Sequence, residues 1–319
     1  MSEQHRVIPI FIPEKACPYR CVYCNQFAIA GQAKVPTLEE AQAVVEKYLA
    51  TMPADADKRI AFFGGSFTGM SIPEQTDYLE IARPYLERGL ISGIQLSTRP
   101  DYINQEILDN LKKYGVTLIE LGAQSLDDEV LRKAGRGHTV QQVREASRLI
   151  VQNGFQLGLQ MMIGLPGDTL EKSMRTAQLI YEFGATCTRI YPTLVVQDTV
   201  LAHLYEIGKY QPLTLDQAVE WTKGLYQFFR AHQIQILRVG LHPSEGLLSG
   251  KDYLAGPFHV SFKELVLTSL WHDRLWEMVK THPEQPIVLE VPAEEINYAV
   301  GYQSANKKAF PQVIFRLKK

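Results

Sequence analysis

The first two-thirds of the chain alternates short apolar runs with amphipathic stretches of helical period, which predicts repeated strand–helix units around a parallel sheet. The runs Arg6–Ile12, Arg59–Phe63, Gly93–Ser97, Thr117–Gly122, Phe155–Ile163 and Thr188–Leu194 read as strands. Between them Thr37–Met52, Pro73–Arg88, Gln105–Tyr114, Thr139–Asn153 and Thr169–Phe183 read as helices. Thr37, Asn104, Asp168 and Thr169 stand where side-chain caps belong, and Asn153-Gly154 and Tyr114-Gly115 read as left-handed helix ends. Six such units form an incomplete TIM-like barrel, a (β/α)6 fold of the α/β class whose post-strand loops gather at one mouth.

After about residue 200 the pattern changes. Helical stretches at Thr199–Ile207 and Thr214–His232 lead to a strand-like run, Gln233–Gly240, and then to a polar, glycine-rich segment. A helix over Phe262–Lys280 and strands over Pro286–Val291 and Gln312–Leu317 complete a smaller α+β region. The predicted division is therefore a partial barrel over 1–200 and a C-terminal extension packed on it over 201–319.

Bulk composition narrows the class. A length of 319 residues with 45% hydrophobic content suits a globular protein with a substantial core. No run of about 18 apolar residues exists, so no membrane span is expected. The net charge of −2 gives no global drive toward nucleic acid. One basic stretch, Lys307, Lys308, Arg316, Lys318 and Lys319, reads as a solvated tail or a local nucleic-acid patch. The four cysteines, in a chain whose first residues lack a signal peptide's apolar stretch, point to a reducing cytoplasm.

Three of those cysteines lie within eight residues, Cys17-Pro-Tyr-Arg-Cys21-Val-Tyr-Cys24, directly after the first strand. A loop this short can aim three thiolates at one point, as three corners of a [4Fe–4S] cubane require, and leaves the fourth iron open. Zinc would want a fourth ligand at a recognisable spacing, and none follows within 50 residues. Cys187 reads as a small core residue. Every other unusual loop also follows a strand: Gly64-Gly-Ser-Phe-Thr, Ser97-Thr-Arg-Pro, Ala123-Gln-Ser and Gly164-Leu-Pro-Gly-Asp. In a parallel barrel these crowd one face. Gly64-Gly65 suits a close backbone approach to a ligand or a plain turn, and Gly164-Leu165 suits an adenine edge or an ordinary strand-to-helix turn. Tyr23 is placed to lay its ring near an adenine or to pack on the core.

Taken together, these motifs resemble the radical S-adenosylmethionine (SAM) superfamily, and within it the radical SAM domain of the Elongator catalytic subunit family. More distantly, they resemble oxygen-independent coproporphyrinogen oxidase. Cys17–Cys24, Phe63-Gly-Gly-Ser-Phe-Thr68, Ser97-Thr-Arg-Pro-Asp-Tyr102, Glu120-Leu-Gly-Ala-Gln-Ser125, Arg136-Gly-His-Thr139, Met162-Ile-Gly-Leu-Pro-Gly167, Ile190-Tyr-Pro-Thr-Leu194 and Ala255-Gly-Pro-Phe-His259 carry the resemblance in order. It implies an enzyme in which Cys17, Cys21 and Cys24 hold a [4Fe–4S] cluster and SAM fills the open position. It implies SAM contacts from Gly64, Gly65, Ser66, Gln124 and Arg136, and from Gln160 where relatives often carry an aspartate. Ser97 stands where many relatives have a glutamate.

The implied reaction is reductive cleavage of SAM to a 5′-deoxyadenosyl radical, fed by a flavodoxin- or ferredoxin-like electron donor. Tyr191, Asp198 and His259 are the candidates for the substrate side. No stretch after residue 240 reads as an acetyl-CoA pyrophosphate loop, so an acetyltransferase domain is not expected in this chain. Three readings remain: modification of tRNA or another RNA base, action on a small metabolite or tetrapyrrole, and a non-catalytic iron–sulfur protein.

Overall fold

The structure, a computed structural model, describes residues 6–13, 15–17, 21–30, 34–281 and 286–318; Lys319 of the basic stretch lies outside the described residues. Its main sheet is built from β1 (Arg6–Ile12), β2 (Lys58–Gly64), β3 (Gly93–Thr98), β4 (Val116–Gln124), β5 (Gln156–Ile163) and β6 (Cys187–Pro192). A separate antiparallel pair joins β7 (Val195–Val196) to β9 (Tyr253–Ala255), and β8 (Gln235–Val239) adds a seventh strand to the main sheet beside β6. The order β1-β2-β3-β4-β5-β6-β8 is parallel throughout, an open partial barrel wrapped by helices. The sheet thus reaches past residue 200, where the sequence reading had ended it. The physical reason is that Leu215–Ala231 is the crossover helix of one more unit and returns the chain to the sheet.

Each strand has two unlike faces. One face, with Ile8, Ile10, Ile60, Phe62, Ile94, Leu96, Ile119, Leu121, Leu157, Leu159 and Ile190, is fully buried against the helices. The opposite positions, among them Gln95, Ser97, Gln160, Arg189 and Tyr191, line the barrel interior. A TIM barrel ordinarily fills that interior with branched apolar side chains. Here polar residues leave it open.

Capping follows the sequence. Thr37 forms a full capping box with Glu40, and Asn104 and Thr169 each accept a backbone N–H three residues on. Gly115 and Gly154 take left-handed φ of 76° and 84° at helix ends. Pro9 sits in β1, an edge strand, where its missing N–H costs no ladder bond. Beyond the barrel, the helix Phe262–Thr281 carries β10 (Ile287–Val291) paired in parallel with β11 (Val313–Leu317), the expected smaller α+β region. Lys307, Lys308, Arg316 and Lys318 are all exposed there. No helix of the described residues is long and apolar enough to cross a membrane.

Candidate active site

Two glycines seat the cysteine loop against the sheet. Gly64 ends β2 at φ +113°, and a Cβ there would meet the backbone of Ile12 at 2.8 Å. At Gly65 a Cβ would stand 2.3 Å from the Lys15 carbonyl oxygen. This closeness lets Gly65 N–H donate to the Ile12 carbonyl at 2.7 Å and Ser66 N–H to the Lys15 carbonyl at 3.1 Å. The pair therefore serves backbone-to-backbone approach, a requirement a plain turn would not have. Gly65→Ala is expected to cost about 1–3 kcal/mol through overpacking against a backbone that cannot rotate away. A chemical denaturation midpoint close to wild type would contradict this.

The result is a cavity of about 260 Å³ at the C-terminal ends of the strands. Cys17, Cys21 and Cys24 line it together with Gly64, Gly65, Ser66, Ser97, Gln124, Arg136 and Gln160, all predicted from sequence. Gln26, Thr98, Arg99 and Gly122 join them. All four cysteines are free thiols. Cys17 Sγ lies 3.6 Å from Ser66 Oγ, and Gln26 bridges from near that sulfur to the Gly64 carbonyl, donating to it at 2.8 Å.

Arg136 and Arg99 are two buried cations of the site. Arg136 is the one against the cysteine loop. Its Nη1 donates to Cys21 Sγ at 3.2 Å and its Nη2 to the Gly122 carbonyl at 2.6 Å. Its own carbonyl accepts from Arg99 Nη2 at 2.7 Å, and Arg99 is fixed by a bidentate pair with Asp101. Among the described ion pairs none joins Arg136 to a carboxylate. Arg136 thus places a buried positive charge directly beside the Cys21 sulfur. Gln124 stands at φ +64°, a left-handed conformation uncommon outside glycine, where the β4–β5 register breaks; its Oε1 is buried without a hydrogen-bond partner.

These observations bear on the cluster that the cysteine spacing implies. Three thiols share one cavity, a buried cation adjoins one of them, and orphaned polar atoms face the same space. Among the described residues no three His, Cys, Asp or Glu side chains converge on a single metal ion. A cubane distributes its three cysteines over three irons, and three thiols on one cavity are the donor set it takes.

Other predicted residues lie elsewhere. Tyr23 is buried behind the cysteine loop with Val130, Ala134, Leu165 and Leu201, and burial pushes its phenol well up, so its ring packs on the core and does not line the cavity. Gly164 and Leu165 border a separate cavity with Lys133, Tyr210 and Trp221. The turn is held from inside: Asp168 accepts from Gly164 N–H at 2.8 Å and from Ser173 Oγ at 2.8 Å, and burial pushes its carboxyl up to about 6 against those bonds. Asp198 is exposed in a left-handed turn, and His259 packs edge-on against Tyr302 and accepts from Ser261 N–H. Neither lines the described cavities: Asp198 lies on the excursion between β6 and β8, and His259 on the segment that follows β9.

Tyr191 lines a larger cavity of about 760 Å³ inside the barrel, which meets the first along Cys24, Gln26, Gly64, Ser97 and Gln160. A polar network closes its wall. Arg189 pairs bidentately with Glu120 through Nε at 2.5 Å and Nη2 at 2.9 Å, and Gln160 Nε2 donates to Glu120 Oε2 at 3.1 Å and to Ser97 Oγ at 2.9 Å. The sequence reading did not single out Glu120 or Arg189 as site residues. The available signal was a lone charged residue at the centre of an apolar strand, with a lone neutral amide, Gln95, as its counterpart in β3.

His138 lies behind Arg136 with neither ring nitrogen hydrogen-bonded to a side chain, and burial, reinforced by Arg136 and Arg99, lowers it to about 3. The folded state therefore binds fewer protons than the unfolded chain between its ordinary value and about 3, so stability from this group is present above that ordinary value and lost as pH falls. Between pH 7 and 5 the loss amounts to up to about 2 kcal/mol. His138→Asn should flatten that slope in denaturant midpoints measured at both pH values; an unchanged slope would refute the assignment.

Comparisons with known proteins agree with this geometry. The family model described as Radical SAM superfamily matches residues 12–180, and that of the Radical_SAM C-terminal domain matches residues 185–272. A tRNA uridine(34) acetyltransferase of Dehalococcoides mccartyi is 28% identical over 245 residues, 65% of this chain and 53% of that protein. Elongator complex protein 3 of Saccharomyces cerevisiae is 37% identical over 131 residues, covering 40% of this chain and 24% of its own length. The chain thus spans about half or less of these two relatives. Among solved structures, the archaeal Methanocaldococcus infernus Elp3 with an N-terminal deletion superposes with a TM-score of 0.63 at 18% identity, covering 93% of this chain and 70% of that one. Coproporphyrinogen III oxidase of Escherichia coli, titled a radical SAM enzyme, gives 0.51 at 15% identity over 72% of this chain and 53% of its own. At such identities both likenesses concern the fold.

Proposed function

The chain belongs to the radical SAM superfamily, and on that premise we propose that it is an enzyme that binds a [4Fe–4S] cluster through Cys17, Cys21 and Cys24 and cleaves SAM in the adjoining cavity. The observation that carries the reading is the meeting of three thiols with the Gly64-Gly65-Ser66 loop, Gln124 and Gln160 around one space. The chemistry supplied by a bound cluster and SAM is reductive cleavage to methionine and a 5′-deoxyadenosyl radical.

The chain's own residues orient and isolate that event. Arg136 holds Cys21 in place and balances charge beside it. The orphaned Oε1 of Gln124 suits the ammonium of SAM, and exposed backbone at Gly64-Gly65 suits its amino-acid moiety. Gln160, tied to Ser97 and Glu120, stands where the two cavities meet and can position a ribose hydroxyl. A substrate in the barrel interior would then face the reacting carbon while helices and sheet exclude solvent.

The substrate we propose is a tRNA, on the strength of the relatives named tRNA uridine(34) acetyltransferase. An electron donor of flavodoxin or ferredoxin type and a reducing, cytoplasmic setting accompany that reading. A small-molecule substrate is favoured by one observation, the 760 Å³ interior cavity, which holds a metabolite whole. Anaerobic reconstitution followed by dithionite and SAM should release 5′-deoxyadenosine and methionine; cluster and SAM binding with no cleavage would leave a non-catalytic protein. Binding of tRNA that weakens steeply between low and moderate salt supports the RNA substrate, whereas its salt-independent absence supports the small molecule.

A further inference from the structure

The interior cavity is charged in one sense. Its lining includes Arg6, Arg189 and Arg238, and no aspartate or glutamate among the described residues. Arg189 is already neutralised by Glu120. Arg238 is not: its Nε donates to the Gly240 carbonyl at 3.0 Å and its Nη2 to His242 Nδ1 at 3.3 Å, and no ion pair joins it to a carboxylate among the described residues. Burial, with the adjacent Arg189 charge, pushes the Arg238 guanidinium down from its ordinary value, and burial with the Arg238 charge pushes His242 down. A guanidinium held at the wall of a partly enclosed cavity without a carboxylate partner is a ready site for an anion.

Local structure aims Arg238 inward. Neighbouring residues of a strand ordinarily point to opposite faces. The register between β6 and β8 shifts between Thr188 and Arg189, and both Leu237 and Arg238 line the cavity. Such irregularities redirect side chains next to functional sites. Across the space, Gln95 is fully buried, and neither its Nε2 nor its Oε1 has a hydrogen-bond partner. An amide so placed within β3 is expensive unless a ligand satisfies it.

We propose that the barrel interior receives an anionic substrate group, a carboxylate or a phosphate ester, on Arg238, while Gln95 hydrogen-bonds a neutral polar part of the same molecule. This rests on the reading of the interior as the substrate site. Phe11 and Phe63, with ring centroids 6.0 Å apart, and Leu237 supply apolar walls, so the occupant combines one anionic end with a flat or apolar body.

The test uses three probes of one shape, benzoate, phenyl phosphate and benzamide, titrated into the full-length, anaerobically reconstituted protein by ligand-observed NMR. At least one of the anions should bind roughly tenfold more tightly than benzamide, the scale of a charge-assisted hydrogen bond. Preference for phenyl phosphate over benzoate assigns a phosphate ester, and the reverse assigns a carboxylate. Arg238→Gln should abolish the discrimination and Arg238→Lys should retain part of it, with thermal midpoints showing that both variants fold. Gln95→Leu should weaken all three probes alike. Equal binding of all three by the wild type, or undiminished discrimination in Arg238→Gln, overturns the proposal. Release of 5′-deoxyadenosine from the same samples is scored separately, so failure of anion binding is distinguished from failure of SAM cleavage.

Discussion

Cys21→Ala is expected to leave protein that takes up no stable cluster under anaerobic reconstitution and releases 5′-deoxyadenosine only at background. Cys21 is the buried member of the three, and it is the one contacted by Arg136. Its loss removes both a thiolate and the acceptor of a buried guanidinium, so two effects must be separated. Cys21→Ser keeps the shape and a hydrogen-bond acceptor and should preserve the fold while still losing the cluster, because a hydroxyl is a poor ligand for soft iron–sulfur chemistry. Cys187→Ala is the internal control. Cys187 lies at the start of β6, 3.0 Å from where a Cβ on Gly158 would stand, and burial pushes its thiol far up. Iron content and the brown absorbance should persist there. Equal iron in Cys21→Ala and wild type would remove the basis of the proposed function.

The contrast between these cysteines shows what sequence could and could not carry. Cys17, Cys21 and Cys24 were legible because an eight-residue span enforces proximity whatever the rest of the chain does. Gly64-Gly65 was legible as unusual, yet its partner, the backbone of Ile12 and Lys15, lies about 50 residues away along the chain, and only the β1–β2 pairing shows what the missing side chains make room for. The loops after β2, β3 and β4 converge as the parallel order required, whereas Gly164 and Leu165 line a separate cavity, with Leu165 packed behind the cysteine loop. Their turn is set by Asp168 and Tyr210, which hydrogen-bond the two ends of Gly164, and no local pattern announces the second of these. Asp198 and His259 were substrate-side candidates, yet Asp198 falls on the excursion between β6 and β8 and His259 on the segment between β9 and the helix Phe262–Thr281, where strand order does not fix position.

Glu120→Ala is expected to destabilise the protein more than any other single change considered, by about 3–5 kcal/mol, the cost of removing one partner from a buried ion pair. Glu120 is 1% exposed and accepts three hydrogen bonds, two from Arg189 and one from Gln160. Gly158 makes room for it, since a Cβ there would lie 2.9 Å from the Glu120 Cγ. Without the carboxylate, the Arg189 side chain, 12% exposed, keeps only the Phe63 face, 4.8 Å from its guanidinium carbon, and its contact with Tyr191. A ring face offsets about 2 kcal/mol at most when desolvated, less than an unpaired buried charge demands. Against a total stability of about 5–15 kcal/mol, the loss should be plain in urea midpoints.

The double variant Glu120→Ala with Arg189→Met separates the pair from the polar wall. It removes the orphaned charge, so it should be more stable than Glu120→Ala alone, a coupling that distant sites do not show. If the two changes add, or if Glu120→Ala costs under about 1 kcal/mol, the pair behaves as a solvated one. Water would then fill the barrel interior deeply enough to screen Arg189, and Arg238 would need no anion either.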